Sequence, residues 1–369
     1  MLPSRLKRGL RRRAYPDALT DCMRSSPLRE VVRLLAPRVG LGPLVRHDSG
    51  PFSTDAVCHS LDREVSERLR AQPFLGVYAY EDAAEYSFRE ATRRGMVTLY
   101  DLPIGYWRAA RTLLEEEAGL QPDWAATLNG NSYHPGKTAR KDAELDLADV
   151  VFVASSFTRQ TLDTASRFKG TVVLVPYGAP APPASVLNIE RPSSEKLRVL
   201  FVGALGQRKG LSYLFEACNA LKGAVELTVI GQKPAAECRA LDRELSTVRW
   251  LPNCPHQQVL AEMARHDVLV FPALFEGFGL VLLEAMAMGL PVITTPHTAG
   301  PDLIDDGVHG FIVPIRSTQA IVERLEILRR DAGRRADMAY RARLRARDFT
   351  WQKYGDTLAA CVARALGHS

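Results

Sequence analysis

The sequence predicts an α/β protein made of two doubly wound domains in series, with a ligand cleft between them. Three observations predict it. From residue 197 onward, short β-branched runs alternate with helical patterns, and continuous apolar strands joined by helices imply a parallel sheet covered on both faces. A similar but less regular alternation runs over residues 74–175. Between the two, residues 177–196 hold Pro180, Pro182, Pro183 and Pro192 with few apolar side chains, and read as a linker. The length of 369 residues suits roughly two domains of ~150–200 residues, each able to bury a core.

The chain opens with six basic residues among its first thirteen (Arg5, Lys7, Arg8, Arg11, Arg12 and Arg13), with Leu2, Leu6 and Leu10 spaced by four. This pattern fits an amphipathic basic helix in peripheral contact with an anionic membrane, and it also fits a solvated terminal helix. Residues 1–46 hold eleven Lys/Arg against Asp17, Asp21 and Glu30, a net of +8, so the rest of the chain carries −2 of the total +6. Residues 1–73 give helical patterns and no convincing strand. Strands are expected at 74–79, 96–100, 150–154 and 171–175, with helices at 83–94, 107–118 and 138–148. In the second half strands are expected at 197–203, 225–231, 248–251, 267–273, 291–295 and 310–315. The intervening helices fall at 211–221, 234–246, 257–265 and 280–288, and residues 350–366 form one more amphipathic helix.

Composition narrows the class. With 46% hydrophobic and 24% charged residues the chain is neither fibrous nor disordered. No stretch approaches the ~18 uncharged apolar residues of a membrane-spanning helix, and the opening lacks the apolar core of a secretory signal. Six scattered cysteines without a C-x-x-C, and histidines without metal-ligand spacing, read as reduced thiols and no metal centre. A soluble, cytoplasmic protein is expected, with residues 1–13 as the candidate contact to the inner face of a membrane. No Walker loop or complete G-x-G-x-x-G supports an NTPase or dehydrogenase, and no interleaved aromatics support nucleic-acid binding.

In doubly wound sheets ligands sit outside the carboxyl ends of the strands, so the informative loops are 204–210, 274–279 and 296–301. The first follows a strand, starts a helix, and carries Arg208 and Lys209. Cations at a helix start are disfavoured by the helix dipole, by roughly 0.3–1 kcal/mol each; a bound diphosphate gives the pair a reason, and a solvent-facing pair at a loose turn is the plainer account. The second loop runs through Glu276-Gly277-Phe278-Gly279-Leu280 into a helix that is apolar except for Glu284. Gly277 and Gly279 let backbone approach a ligand closely. Glu284 is expected to be buried and satisfied by hydrogen bonds, from a ribose diol or from a buried arginine. Glu276 is expected to face the sugar side of the same cleft.

Two glutamates eight apart around Gly-Phe-Gly on a strand–loop–helix resemble the E-x7-E signature of retaining, nucleotide-sugar-dependent glycosyltransferases of the GT-B fold, in the large family-four group. The stretches 201–210, 287–295 and 305–314 resemble the same group. The resemblance implies two Rossmann-like domains facing a cleft. Residues 1–178 would be the acceptor-side domain with a basic helical arm at 1–46, 179–196 the linker, 197–345 the nucleotide-sugar donor domain, and 346–369 a helix crossing back. It implies transfer of a sugar from a nucleotide diphosphate to a hydroxyl acceptor (glycan, lipid-linked or small molecule), with retention and without a metal or other cofactor. Lys209, helped by Arg208, would neutralise the diphosphate beside Gly203. Glu276 with Gly277, Phe278, Gly279 and Leu280 would hold sugar and phosphate, and Glu284 the ribose.

The chain departs from the group in three places. Ala204 stands where many relatives have Arg, and Tyr100-Asp101 where they often have His-Asp. Asp101 is therefore an acceptor-side candidate, or else a cap for the turn before Pro103. The opening strand and glycine-rich loop of the first domain are not found, and a late start relative to relatives is expected. Trp250 and Pro252 flank the base or are core and turn; His256, His266, His297 and His309 read as caps or turn residues. The rival function is a non-catalytic nucleotide-sugar-binding partner or regulator with a degenerate acceptor domain.

Overall fold

The computed structural model describes residues 17–25, 27–46, 50–128, 134–181 and 195–367. The basic stretch 1–13 and most of the proline-rich stretch lie outside the described residues. The chain divides into two compact units, one ending at Glu67 and one starting at Arg68. The first is helical: a short 3-10 turn Asp17–Cys22, α1 (Pro27–Leu35), 3-10 turns Ala36–Val39 and Gly42–Val45, and most of α2 (Thr54–Ala71). Arg33 and Glu30, one turn apart on α1, form an ion pair at 2.6 Å. As the sequence suggests for this region, no strand precedes residue 76 among the described residues.

The second unit holds two parallel sheets. The first runs β1 (Gly76–Tyr80), β2 (Val97–Leu102), β3 (Val150–Val153) and β4 (Thr171–Leu174), paired in that order. Helices α3 (Glu85–Arg93), α4 (Trp107–Leu120), α5 (Pro135–Asp146) and α6 (Ser156–Thr161) connect them. The pleat sends alternate β2 side chains to opposite faces. Tyr100 packs against Phe88 at 5.9 Å and its hydroxyl reaches Glu144 at 3.1 Å, while Asp101 faces the other way.

The second sheet is built from β5 (Leu197–Val202), β6 (Val225–Ile230), β7 (Arg249–Leu251), β8 (Val268–Phe271), β9 (Val292–Thr294) and β10 (Gly310–Ile312), in the order β10-β9-β8-β5-β6-β7. The connecting helices are α7 (Leu211–Ala220), α8 (Arg239–Leu245), α9 (His256–Arg265), α10 (Leu280–Ala287) and α11 (Gly300–Leu303). Every residue of β8 is buried, as a strand covered on both faces must be. The expected helix at 234–246 begins only at Arg239, because Cys238 is extended and its sulfur accepts the Leu241 N–H as a cap. Then α12 (Thr318–Arg330) and α13 (Ala332–Ala346) close the second sheet's layer. The last helix, α14 (Trp351–Ala365), places Tyr354, Leu358, Cys361, Val362 and Ala365 on one stripe against Leu99, Phe152 and Val175 of the first sheet.

The two sheet-bearing halves meet through a buried carboxylate. Glu117 on α4 is 0% exposed. One of its oxygens accepts from Gln207 at 2.7 Å and from Tyr213 at 3.0 Å, and the other from Arg316 at 2.7 Å. Arg316 follows β10 and takes a left-handed φ of 62° to reach it. Thr127 completes the seam by accepting the Gln207 N–H at 2.9 Å, and Trp124 stacks on Phe215 at 5.9 Å. Glu117→Ala removes the buried acceptor shared by Gln207, Tyr213 and Arg316. It is expected to cost about 3 kcal/mol, lowering Tm by roughly 6 °C or more in thermal unfolding, with Glu117→Gln costing less because it keeps an acceptor.

Candidate functional site

In the second sheet the strand order reverses between β5 and β8. The loops leaving the carboxyl ends of these neighbours therefore flank a crevice, the place where open α/β sheets bind ligands. These are the loop 203–210 and the loop 272–279, the two that the sequence singles out. They are tied directly: the Leu274 N–H donates to the Arg208 carbonyl at 2.9 Å, and the Arg208 guanidinium donates to the Phe275 carbonyl at 2.7 Å. Gly210 has a left-handed φ of 70° and an added Cβ would lie 2.0 Å from the Pro272 carbonyl, so only glycine fits between the loops there.

The charged residues of the two loops converge. Lys209, 8% exposed, contacts the Glu276 carboxylate, and Arg208 lies 3.2 Å from the same oxygen. The sequence reading placed the cations at a phosphate and Glu276 at a sugar. The structure brings all three together, with Glu276 the counter-charge of both cations. Burial, and secondarily the Arg208 guanidinium beside it, push the Lys209 amine down to about 6, and the Glu276 carboxylate opposes that shift.

Glu284 corrects the expectation of a buried carboxylate. Its side chain is 18% exposed and lies 2.9 Å from the His256 ring. Leu280, one turn earlier on α10, is exposed too, so the helix has an outward stripe that its uniformly apolar sequence hides. His256 is accordingly more than a cap or turn residue: it opens α9 and its ring pairs with the Glu284 carboxylate on α10. Gly203 lines a cavity of about 360 Å³ with Gly231, Gln232, Pro252, Asn253 and Cys254. A second cavity, of about 280 Å³, is lined by Gly206, Arg208, Lys209 and Lys233. The Trp250 Nε1–H donates to the Gly231 carbonyl at 2.9 Å and Lys233 covers its ring at 4.7 Å.

Loops of the first sheet press on the same region. The Ser155 and Thr158 hydroxyls reach the Gly277 carbonyl, that of Thr158 at 2.9 Å. Ser156 donates through its N–H at 2.8 Å to Asp302 of the third loop. His297 stacks on Phe157 at 4.6 Å, and its Nδ1 pairs with the Leu274 carbonyl at 2.8 Å. The sequence reading missed Ser155 and Thr158, although an S-x-x-T at the end of an expected strand is a visible signal. Asp101 stands apart from the cations. It is buried within β2, accepts the Tyr78 hydroxyl at 2.5 Å, and does not cap the turn before Pro103. Burial raises its carboxyl above the usual range, against the Tyr78 and Tyr80 hydroxyls.

Two parallel sheets, a crevice at the switch point and a back-crossing terminal helix define the GT-B fold of glycosyltransferases. Residues 187–345 match the family model described as glycosyl transferases group 1. Among curated relatives, the amylovoran biosynthesis glycosyltransferase AmsK of Erwinia amylovora is 32% identical over 140 residues, 34% of this chain and 34% of its own. A D-inositol 3-phosphate glycosyltransferase of Corynebacterium aurimucosum is 29% identical over 63% of this chain and 61% of its own. The chain thus spans between about a third and 61% of these relatives. Solved structures of similar fold include sucrose-phosphate synthase from Thermosynechococcus elongatus, with a TM-score of 0.66 and 19% identity over 88% of this chain and 83% of that one. Another is Anabaena HepE in complex with UDP and glucose, with a TM-score of 0.64 and 17% identity over 85% of this chain and 84% of that one.

The Gly277 contact also gives a test of the seam. A Cβ at this position would lie 2.2 Å from the Pro103 carbonyl and 2.7 Å from the Ile104 Cα, both backbone atoms that cannot turn aside. Gly277→Ala is expected to destabilise the chain by about 1–3 kcal/mol, seen as a lower midpoint in urea unfolding.

Proposed function

We propose that this chain transfers a sugar from a nucleotide-diphosphate sugar to a hydroxyl acceptor, with retention at the anomeric carbon. The observation that carries the reading is the convergence of Arg208, Lys209 and Glu276 at the switch point of a sheet whose sequence matches the model of glycosyl transferases group 1. An incoming diphosphate replaces Glu276 as the counter-charge of the two cations and frees that carboxylate to turn to the donor sugar. Glu284 accepts the ribose hydroxyls. Gly203 and the cavity along the ends of β5 and β6 supply room for the nucleoside.

The chemistry needs the leaving diphosphate stabilised as the anomeric C–O bond breaks. Arg208 and Lys209 do that as fixed charges in a partly desolvated crevice, where charge is worth more than in water. The acceptor oxygen bonds to the anomeric carbon on the face the phosphate leaves, and its proton passes to the departing phosphate oxygen. In this reading no metal is called for, and no side chain serves as a hydrolase-type carboxylate pair. The acceptor is proposed to be a glycan, a lipid-linked sugar or a small molecule, and the likeness to AmsK, an amylovoran biosynthesis glycosyltransferase, supports the glycan. Asp101, with its raised carboxyl at the end of β2, is the acceptor-side candidate.

Thermal unfolding with UDP, GDP, ADP, CDP and dTDP, followed by turnover of the matching sugar donors, tests the reading. One nucleotide is expected to raise Tm and its sugars to be consumed; donor binding without turnover on any acceptor leaves the non-catalytic partner as the answer. Lys209→Ala is expected to weaken nucleoside diphosphate binding by about 10–100-fold, the loss of a charged hydrogen bond of roughly 1.5–3 kcal/mol. The free amine sits near 6 and a diphosphate raises it, so binding takes up a proton and affinity falls as pH climbs above about 6. At pH 7.5 calorimetry in buffers of different ionisation enthalpy is expected to read that uptake, and Lys209→Met to abolish it.

A contact with anionic lipid belongs to the same proposal. Beyond residues 1–13, Leu28, Val31 and Leu35 share one exposed face of α1 while Arg24, Arg29 and Arg38 are exposed near it. Co-sedimentation with phosphatidylglycerol vesicles is expected, and is expected to fall for Leu28→Asp/Val31→Asp.

A further inference from the structure

Gly277, Phe278 and Gly279 are buried in succession, and their backbone groups divide by kind. All three carbonyls are occupied. Gly277 accepts the Ser155 and Thr158 hydroxyls, Phe278 accepts the Ala299 N–H at 2.9 Å, and Gly279 accepts the Leu282 N–H at 2.9 Å. The three N–H groups have no acceptor among the described residues. Buried N–H groups without partners are rare in folded proteins, and three in a row beside Glu276 mark a place where an acceptor comes from outside the chain.

The orientation of the central amide is set from the other half of the molecule. The peptide bond is planar and trans, with no cis bond among the described residues. Its C=O and N–H therefore point in opposite directions. Holding the Gly277 carbonyl on Ser155 and Thr158 turns the Phe278 N–H away from those two hydroxyls. Both hydroxyls are 0% exposed and sit on the first turn of α6, which also donates to Asp302 of the third loop.

We propose that Ser155 and Thr158 are positioning residues that lock the 277–278 peptide so that its amide faces the anionic part of the bound donor, the diphosphate. The inference rests on the function proposed above and adds to it a contribution from the first sheet to a site otherwise built on the second. Neither hydroxyl touches the donor; each acts through the Gly277 carbonyl. If that carbonyl is released, the peptide is free to turn, and a carbonyl oxygen then faces the phosphate in place of an N–H.

Ser155 also caps α6 by accepting the Thr158 N–H at 3.1 Å, so Thr158 is the cleaner position to change. Thr158→Val keeps shape and volume and removes the donor; Thr158→Ser keeps the donor. Titration with the nucleoside diphosphate that binds best among UDP, GDP, ADP, CDP and dTDP, and with the matching monophosphate, reads the effect. The Val variant is expected to lose roughly tenfold in affinity for the diphosphate with little change for the monophosphate, to keep its Tm within a few degrees, and to be rescued by Ser. Equal losses for both nucleotides, or wild-type affinity for both, would overturn the proposal while leaving the donor site in place. A wild-type chain that binds none of the five overturns the functional reading and this inference with it.

Discussion

The Glu117 carboxylate is where the two halves of the molecule become one. Its two oxygens accept from three side chains on the second-sheet half, and one of these, Gln207, is the residue immediately before Arg208 and Lys209. A charge taken wholly out of water is tolerated only when its hydrogen-bonding capacity is filled, and here the filling comes from across the seam. Helix α4 cannot shift without taking the buried Glu117 carboxylate away from its three donors. The loop that carries the cations is thus held from both sides, by its own sheet and by the neighbouring half.

The same arrangement explains the electrostatics of the crevice. Two cations sit at the start of a helix and a third group, Glu276, pairs with both. Burial then works against the Lys209 ammonium, which keeps the site poised toward a more highly charged anion than a single carboxylate. Backbone polarity runs in parallel. Around Gly277 the carbonyls are tied back by Ser155, Thr158, Ala299 and Leu282, leaving amides in front. Side-chain charge and backbone dipoles favour the same kind of guest.

Much of this was legible in the sequence, for a definite reason. A continuous apolar strand such as 268–271 is buried on both faces, so its composition identifies it. Arg208, Lys209, Glu276 and the two glycines lie on loops at strand ends, where a parallel α/β alternation already says a ligand binds. Glu284 was misread because its helix is apolar on every side in sequence, and only packing against α9 reveals which stripe faces outward. The sequence reads His256 as a cap or turn residue for a related reason: a partner 28 residues away leaves no local trace.

What the sequence determined by itself was the class of fold, the position of the two donor loops and the residue types that carry charge there, because each depends on patterns within about twenty residues. Tertiary structure decided the rest. It set the strand order that puts β8 beside β5, and it brought Glu276 onto Lys209. It also brought Glu117 to Gln207 across 90 positions and Thr158 to Gly277 across 119. Such pairings are chosen by the chain closing on itself, where filling the last hydrogen bond of a buried group outweighs local preference, and no spacing in the sequence records that choice.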